Sequence, residues 1–292
     1  DNSLSILKSY QEKDTRIKII DQTNSGSSIA KNNGIKVATG EYIGFSDSDD
    51  YFEIDALETL YNYSKNNNLE IITSNYFLGG DKKEIVMRFN FPYNQVLDNS
   101  YIKNNVIYNL LEFEDLFSVW NKFYNRDFII KNKILFPSNR ESEEDAMFNL
   151  AAFNVCNKTF FANYTSYHFR EMIVSESRNF LNRNYYKDAF KKYNFDYKTY
   201  FNLDISDEKH KEIKIRRIVN RFIYLTFATS IATNKLLISK KYSFIKSNVL
   251  SKDFHEIVNN NYLLLKKNKG IYEKLFLFVV KIITSRIKKM TK

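Results

Sequence analysis

The first eighty residues constrain the fold most, because helix-period and strand-period patterns alternate there with turn residues between them. Leu4, Ile6, Leu7 and Tyr10 recur at helical spacing, and the β-branched run from Ile17 to Ile20 then reads as a strand ending at Asp21 and Gln22. After a polar loop with Asn24 and Gly26, Ser27 or Ser28 is placed to cap a helix carrying Ile29, Ala30, Ile35 and Val37. Gly40 stands where a left-handed closing residue is wanted. The apolar run EYIGFS follows as a short buried strand, stopped by Asp47, Ser48, Asp49 and Asp50. A helix with Ile54, Leu57, Leu60 and Tyr61 and a strand from Glu70 to Tyr76 complete the series. This alternation predicts an α/β fold with parallel pairing and flanking helices.

Further along, a strand is expected from Ile85 to Phe89, a helix from Ile102 to Phe117, and a compact turn at VWNKFYNRDF. The acidic stretch ESEEDAMFNLAAF opens another helix, and short strands follow around Thr159 to Phe161 and Ser166 to Phe169. Beyond Ser177 the pattern is helical throughout, so the chain divides into an α/β region, 1–177, and a helical region, 178–292.

Charge divides the same way. Of 44 Lys and Arg and 34 Asp and Glu, 25 and 9 fall after residue 180, so a net charge of +16 there opposes −6 before it. The last segment, IYEKLFLFVVKIITSRIKKM, sets basic residues on both sides of an apolar run from Leu275 to Val280, which suits peripheral contact with an anionic membrane surface. The bland alternative is a helix that covers its own domain. No run is long enough to span a bilayer. The lone Cys156, inside AAFNVC, reads as a buried thiol and fits a cytoplasmic location, at the inner face of the membrane if the tail binds lipid.

The chemistry concentrates in FSDSDD. Carboxylates two apart on an extended chain point the same way, and their repulsion is relieved by a hard divalent cation such as Mg²⁺ or Mn²⁺. The C-terminal end of a strand in an open α/β sheet is also where ligands bind. The competing reading makes these acids a helix N-cap in front of Ile54.

The whole stretch RIKIIDQTNSGSSIAKNNGIKVATGEYIGFSDSDD resembles the family 2 glycosyltransferases of GT-A fold, in which a mixed sheet is flanked by helices. The resemblance rests on Asn24 with Gly26, Ala30 with Asn32 and Gly34, Gly40 with Glu41, and Asp47 to Asp50. It implies that Asp49 ligates a divalent metal, that Asp47 joins it and contacts the donor nucleotide, and that Asn24 and Lys31 lie against the donor. Lys31 replaces the family's usual Arg, a point charge in place of a bidentate fork. The chain opens without Met at DNS, which resembles the end of the family's Asp-Gly-Ser-x-Asp-x-Ser segment, so a strand, a helix and a second strand are expected upstream.

Glu141, Glu143, Glu144 and Asp145 form a second acidic group at a helix start, where acids often serve only the dipole. Glycosyl transfer needs a base for the attacking hydroxyl, and the Glu144–Asp145 pair resembles the family's, with Asp145 as the base. VWNKFY resembles the family's Trp-Asn-Lys segment, which places Trp120 against an acceptor sugar and Lys122 near the diphosphate. Trp120 reads equally as a core residue, and Lys122 as a solvated surface lysine. Arg170, in YHFR before SES, is a candidate for the leaving phosphate or a plain surface arginine, and His168 reads as structural.

The resemblance therefore implies an inverting transferase. It would move a sugar from a nucleotide-diphosphate donor to a glycan or lipid-linked acceptor in bacterial surface-polysaccharide synthesis. A single displacement needs no covalent nucleophile, in keeping with the lack of a Ser/His or Cys/His constellation. Two rivals stand beside it. The basic half suits a polyanion- or nucleic-acid-binding protein, although no nucleic-acid motif accompanies it and no nucleic-acid partner is expected. A degenerate transferase fold serving as a scaffold is the other.

Overall fold

The computed structural model describes residues 1–80, 83–113, 115–138, 143–170, 184–231 and 238–267. Two compact units are present: Asp1–Leu110 with Asp115–Arg170, and Leu111–Glu114 with Glu171–Lys292.

In the first unit the elements run α1 (Ser3–Gln11), α2 (Ser27–Val37), β1 (Tyr42–Gly44), β2 (Tyr51–Phe52), α3 (Ala56–Asn67), β3 (Ile71–Gly80), β4 (Lys83–Met87) and β5 (Val96–Asp98). The short α4 (Asn99–Tyr101), a π-helical turn (Ile102–Val106) and α5 (Ile107–Glu112) follow. Then come β6 (Lys122–Asn125), α6 (Arg126–Lys131), α7 (Glu144–Val155) and β7 (Lys158–Arg170). One seven-stranded mixed sheet has the order β1-β6-β3-β7-β2, with β4 on β3 and β5 on β7.

β3 and β7 pair in parallel, while β6 pairs antiparallel with both β1 and β3. The strands β1, β3 and β7 therefore run the same way, as the alternation predicts, but β6 is wedged between the first two. The C-terminal ends of β1 and β7 and the start of β6 consequently lie at one end of the sheet. That end carries the acids of FSDSDD, the YHFR segment and Lys122.

Several sequence expectations are corrected. Residues 17–20 have no ladder partner among the described residues, and a strand exists only through its pairing. Among the described residues parallel pairing is confined to β3 with β7 and one isolated bridge, Tyr93 with Phe161. The helix expected from 102 to 117 passes through the π-helical turn and ends at Glu112. The turn at VWNKFYNRDF is in fact β6 followed by α6, and the two strands expected after residue 158 are one, whose register with β3 shifts around Asn75. Ile54 is fully exposed, and α3 begins only at Ala56. Gly26, not a serine, is the N-cap residue of α2, at φ 85°, where a side chain would be strained. Gly40 is not among the positive-φ glycines, because α2 leaves through an extended Ala38.

Close packing explains one glycine of the short first strand. A Cβ on Gly44 would meet the Phe123 ring at 2.8 Å, so only glycine lets β6 lie this close. Behind the strand end, Phe136 stacks on Phe148 at 4.1 Å, and Phe45 meets both rings edge-on. This aromatic cluster ties the exit of β1 to α7, which carries the second acidic pair.

The elements described in the second unit are all helices: α8 (Tyr185–Asn194), α9 (Tyr197–Phe201), α10 (Asp207–Ile231), α11 (Ile238–Val249), α12 (Lys252–Asn260) and α13 (Tyr262–Lys267). Its core stacks Phe222 on Phe254 at 3.8 Å, among Tyr186, Ile215, Val219 and Val258. The 177/178 boundary and the basic 271–290 segment lie outside the described residues. Among the described residues no helix is long and apolar enough to cross a membrane.

Candidate active site

Residues 47–50 do not cap the helix that follows. The N-cap residue of α3 is Asp55, and Asp50 is engaged elsewhere: its two oxygens accept hydrogen bonds from the Tyr167 hydroxyl at 3.0 Å and the Arg170 amide at 2.9 Å. The same hydroxyl accepts the Asp47 amide at 3.0 Å, so one tyrosine holds both ends of the acidic turn. The Arg170 guanidinium donates to the Asp49 carbonyl and lies over the Tyr51 ring. Asp47 and Asp49 are the carboxylates left exposed.

A basic group meets the second acidic pair directly. Lys31, on α2, donates to Asp145 Oδ1 at 2.6 Å and stands 3.7 Å from Glu144 Oε1, which also accepts the Ser27 hydroxyl at 3.0 Å. Asn32 fixes α2 here. Its side chain donates to the Phe136 carbonyl at 2.8 Å and accepts the Phe136 amide at 2.9 Å, both buried.

The titration behaviour joins the two acidic groups into one electrostatic site. Burial raises the pKa of Asp145 above the ordinary carboxylate value, opposed by Lys31, while Glu144 adds to the rise. Asp47 is also raised, first by desolvation of its carboxyl at the crowded strand end and then by Asp145, Asp50 and Asp49, with Lys31 again opposing. Asp47 and Asp145 thus repel one another across a shared lysine. Asp50 is raised chiefly by burial.

Trp120, Lys122, Asn24 and His168 each stack or bond within the protein. Trp120 is 8% exposed, its ring stacked at 4.5 Å on Tyr167 and at 5.7 Å on Phe169, so it supports the acidic turn from the interior. Lys122 is fully buried, and its ammonium donates to the Leu116 and Ser118 carbonyls and to Asn121 Oδ1. Burial brings its pKa down to about 7, against the pull of Asp145 and Asp115. Asn149 donates to the same two carbonyls and to that of Phe117, so the 116–118 loop is clamped from both sides. Asn24 accepts the Gly26 amide at 3.2 Å and shapes the turn before α2. His168 stacks on Tyr51 and Phe77 and bonds Glu53 at 2.8 Å, a structural setting. Glu141 and the SES segment lie outside the described residues.

One residue that sequence reasoning passed over, Tyr167, organises this end of the sheet, and Ser27, read there as a candidate helix cap, donates instead to Glu144 Oε1. Tyr167 stood inside YHFR without a role, and its only signal was its place three residues before Arg170.

With this geometry in view, the comparison with known proteins bears on the first part of the chain, where residues 1–128 match the pattern of Glycosyl transferase family 2. The family match ends before α7, so Asp145, Tyr167 and Arg170 lie beyond it. The chain is 30% identical over 171 residues to the glycosyltransferase EpsJ of Bacillus subtilis, covering 59% of this chain and 49% of that protein. It is 33% identical over 148 residues to the poly(ribitol-phosphate) β-N-acetylglucosaminyltransferase TarP of Staphylococcus aureus, covering 51% and 42%. The chain therefore spans about half the length of these relatives or less. Among solved structures, residues 1–349 of S. aureus TarS, crystallised with UDP-GlcNAc, superpose with a TM-score of 0.58 over 97% of this chain and 76% of that one, at 17% identity. That likeness places the curled mixed sheet and its flanking helices in the GT-A fold, and a helical C-terminal region is present as well.

Proposed function

We propose that this chain carries the catalytic part of an inverting glycosyltransferase that moves a sugar from a nucleotide-diphosphate donor to a glycan or lipid-linked glycan acceptor in surface-polysaccharide synthesis. The observation that carries the reading is Asp145 held on Lys31 within electrostatic reach of Asp47. A buried carboxylate with a raised pKa is a better proton acceptor than an ordinary one, which suits a base that must relieve an attacking hydroxyl of its proton. Lys31 fixes Oδ1, and Oδ2 has no hydrogen-bond partner among the described residues, so that oxygen is the one offered to an acceptor.

The acidic turn suits a hard divalent ion. Asp50 is committed to Tyr167 and Arg170, which leaves Asp47 and Asp49 as oxygen donors. Among the described residues no group of three or more His, Cys, Asp or Glu could hold an ion by itself. One or two carboxylates completed by substrate phosphates is the usual arrangement for Mg²⁺, and it fits this set. When bound, the ion neutralises the charge that develops on the leaving diphosphate. Arg170, braced on the Asp49 carbonyl, is the side chain positioned to add a second positive charge there.

Replacing Asp145 with Asn in the full protein tests the reading. Transfer should fall by about 10²- to 10⁴-fold while nucleotide-sugar binding persists. Undiminished transfer removes Asp145 as base. Absence of donor binding in the wild type, together with salt-dependent DNA binding, would favour the polyanion-binding alternative.

A further inference from the structure

Lys122 has a setting that no step proposed above uses. It is fully buried on β6, and its ammonium offers three N–H groups to three acceptors: the Leu116 carbonyl at 3.1 Å, the Ser118 carbonyl at 2.5 Å and Asn121 Oδ1 at 3.1 Å. Asn121 is itself held. Its amide donates to the Ser74 carbonyl of β3 at 2.9 Å, and Oδ1 also accepts the Ser118 hydroxyl at 3.0 Å. Desolvating a cation costs stability, and a methionine of similar length would fill the space without that cost. Nor does the loop depend on the ammonium for its hydrogen bonds, because the Leu116 and Ser118 carbonyls also accept the Asn149 amide, at 3.3 and 3.1 Å. A buried charge kept where packing does not need it points to a task.

Asn149 connects the cage to α7. It lies four residues after Asp145, so the two side chains stand on the same face of the helix, one turn apart. Lys122 and Tyr124 are two apart on β6 and so share a face of the strand, and the Tyr124 hydroxyl donates to Asn149 Oδ1 at 2.6 Å. Both ends of the Asn149 amide are therefore fixed, the oxygen by Tyr124 and the nitrogen by the loop that the ammonium braces. The charges acting on Asp145 are those of Lys31, Glu144 and Lys122, with Asp47 coupled to it from the strand end, and those acting on Lys122 are Asp145 and Asp115. Burial raises the Asp145 pKa most, and of the two lysines that oppose the rise Lys31 acts the more strongly.

We infer that Lys122 is a positioning residue for the base: by bracing the 116–118 loop against Asn149, together with Tyr124, it fixes the turn of α7 that carries Asp145, and it holds a positive charge near that carboxylate. The inference rests on Asp145 as the base of the proposed transfer.

The test uses the full protein in EDTA and needs no donor. Coupling of Asp145 to glycine ethyl ester by a water-soluble carbodiimide requires the protonated carboxyl, so its pH midpoint, read by mass spectrometry, reports the proton affinity of that group. Burial brings the Lys122 pKa to about 7, so the ammonium is charged where Asp145 titrates. Lys122→Met should move the midpoint up by about half a pH unit or more, which a merely structural role would not do. An unmoved midpoint overturns the inference. Tyr124→Phe keeps the ring contacts with Phe45 and Phe148 and leaves the ammonium in place. It should leave the midpoint where it is, yet speed hydrogen exchange of the α7 amides by about tenfold or more, while α3 exchanges as before and shows the variant to be folded. Unchanged exchange in α7 overturns the clamp, and this variant carries the test alone if Lys122→Met does not fold. Asp145→Asn separates the two levels. Undiminished transfer in that variant removes the base and this inference with it, whereas lost transfer combined with an unmoved midpoint in Lys122→Met removes the positioning role and leaves the base standing.

Discussion

Replacing Asn32 with Ala should loosen α2 from the sheet unit and with it the geometry around Asp145. In the wild type this side chain satisfies both the amide and the carbonyl of Phe136, at 2.9 and 2.8 Å, and Phe136 is only 2% exposed. Alanine would leave two buried backbone groups without partners, each costing about 1–3 kcal/mol, so the variant should lose about 2–6 kcal/mol. The single Trp120, buried against Tyr167 in the same unit, gives a fluorescence signal for unfolding of that unit alone. With a urea dependence of about 2 kcal/mol per molar, the midpoint should fall by about 1–3 M. Because Lys31 is the next residue on α2, transfer should fall more steeply than donor binding. A midpoint shift below about 0.3 M would mean that water replaces the asparagine at no cost, and the bracket would lose its assigned role.

Lys31→Met removes the charge that holds the Asp145 pKa down, so the acid limb of the pH–rate profile should move to higher pH; an unmoved limb would separate Lys31 from the base. Asp47→Asn should raise the unfolding midpoint at neutral pH while weakening metal-stimulated transfer. The Asp47 pKa is raised on folding, so the native state is stabilised when that group is protonated and loses this advantage as pH rises through the folded value. The stability gain of the variant should accordingly vanish below the ordinary carboxylate range, and a gain that persists in acid would refute the cause. Tyr167→Phe deletes both hydrogen bonds that close the acidic turn and should cost about 2–3 kcal/mol by urea unfolding, with reduced donor affinity in calorimetry; unchanged affinity would show that the turn is preorganised by Arg170 alone.

What the sequence determined by itself is local. The helical periodicity of α2, the buried run that ends in Asp47, and the acids opening α7 were all legible, because each depends on residues within a few positions of one another. So was the kinship of the first 128 residues with a transferase family, since its motifs are contiguous. The tertiary structure decided which of these meet. Lys31 reaches Asp145 across 114 positions, and Tyr167 reaches Asp50 across 117. The second encounter depends on β7 pairing with β3 in parallel, which brings the YHFR segment to the strand end occupied by the acidic turn, and the first on Phe136, which Asn32 ties to α2 and whose ring stacks on Phe148 of α7. No propensity or spacing encodes that pairing, because strand order is chosen by the burial of the whole sheet. The interior settings of Trp120 and Lys122 have the same origin: a buried ammonium is tolerable only where several oxygens converge on it, and those oxygens exist only after the 116–118 loop has closed over β6.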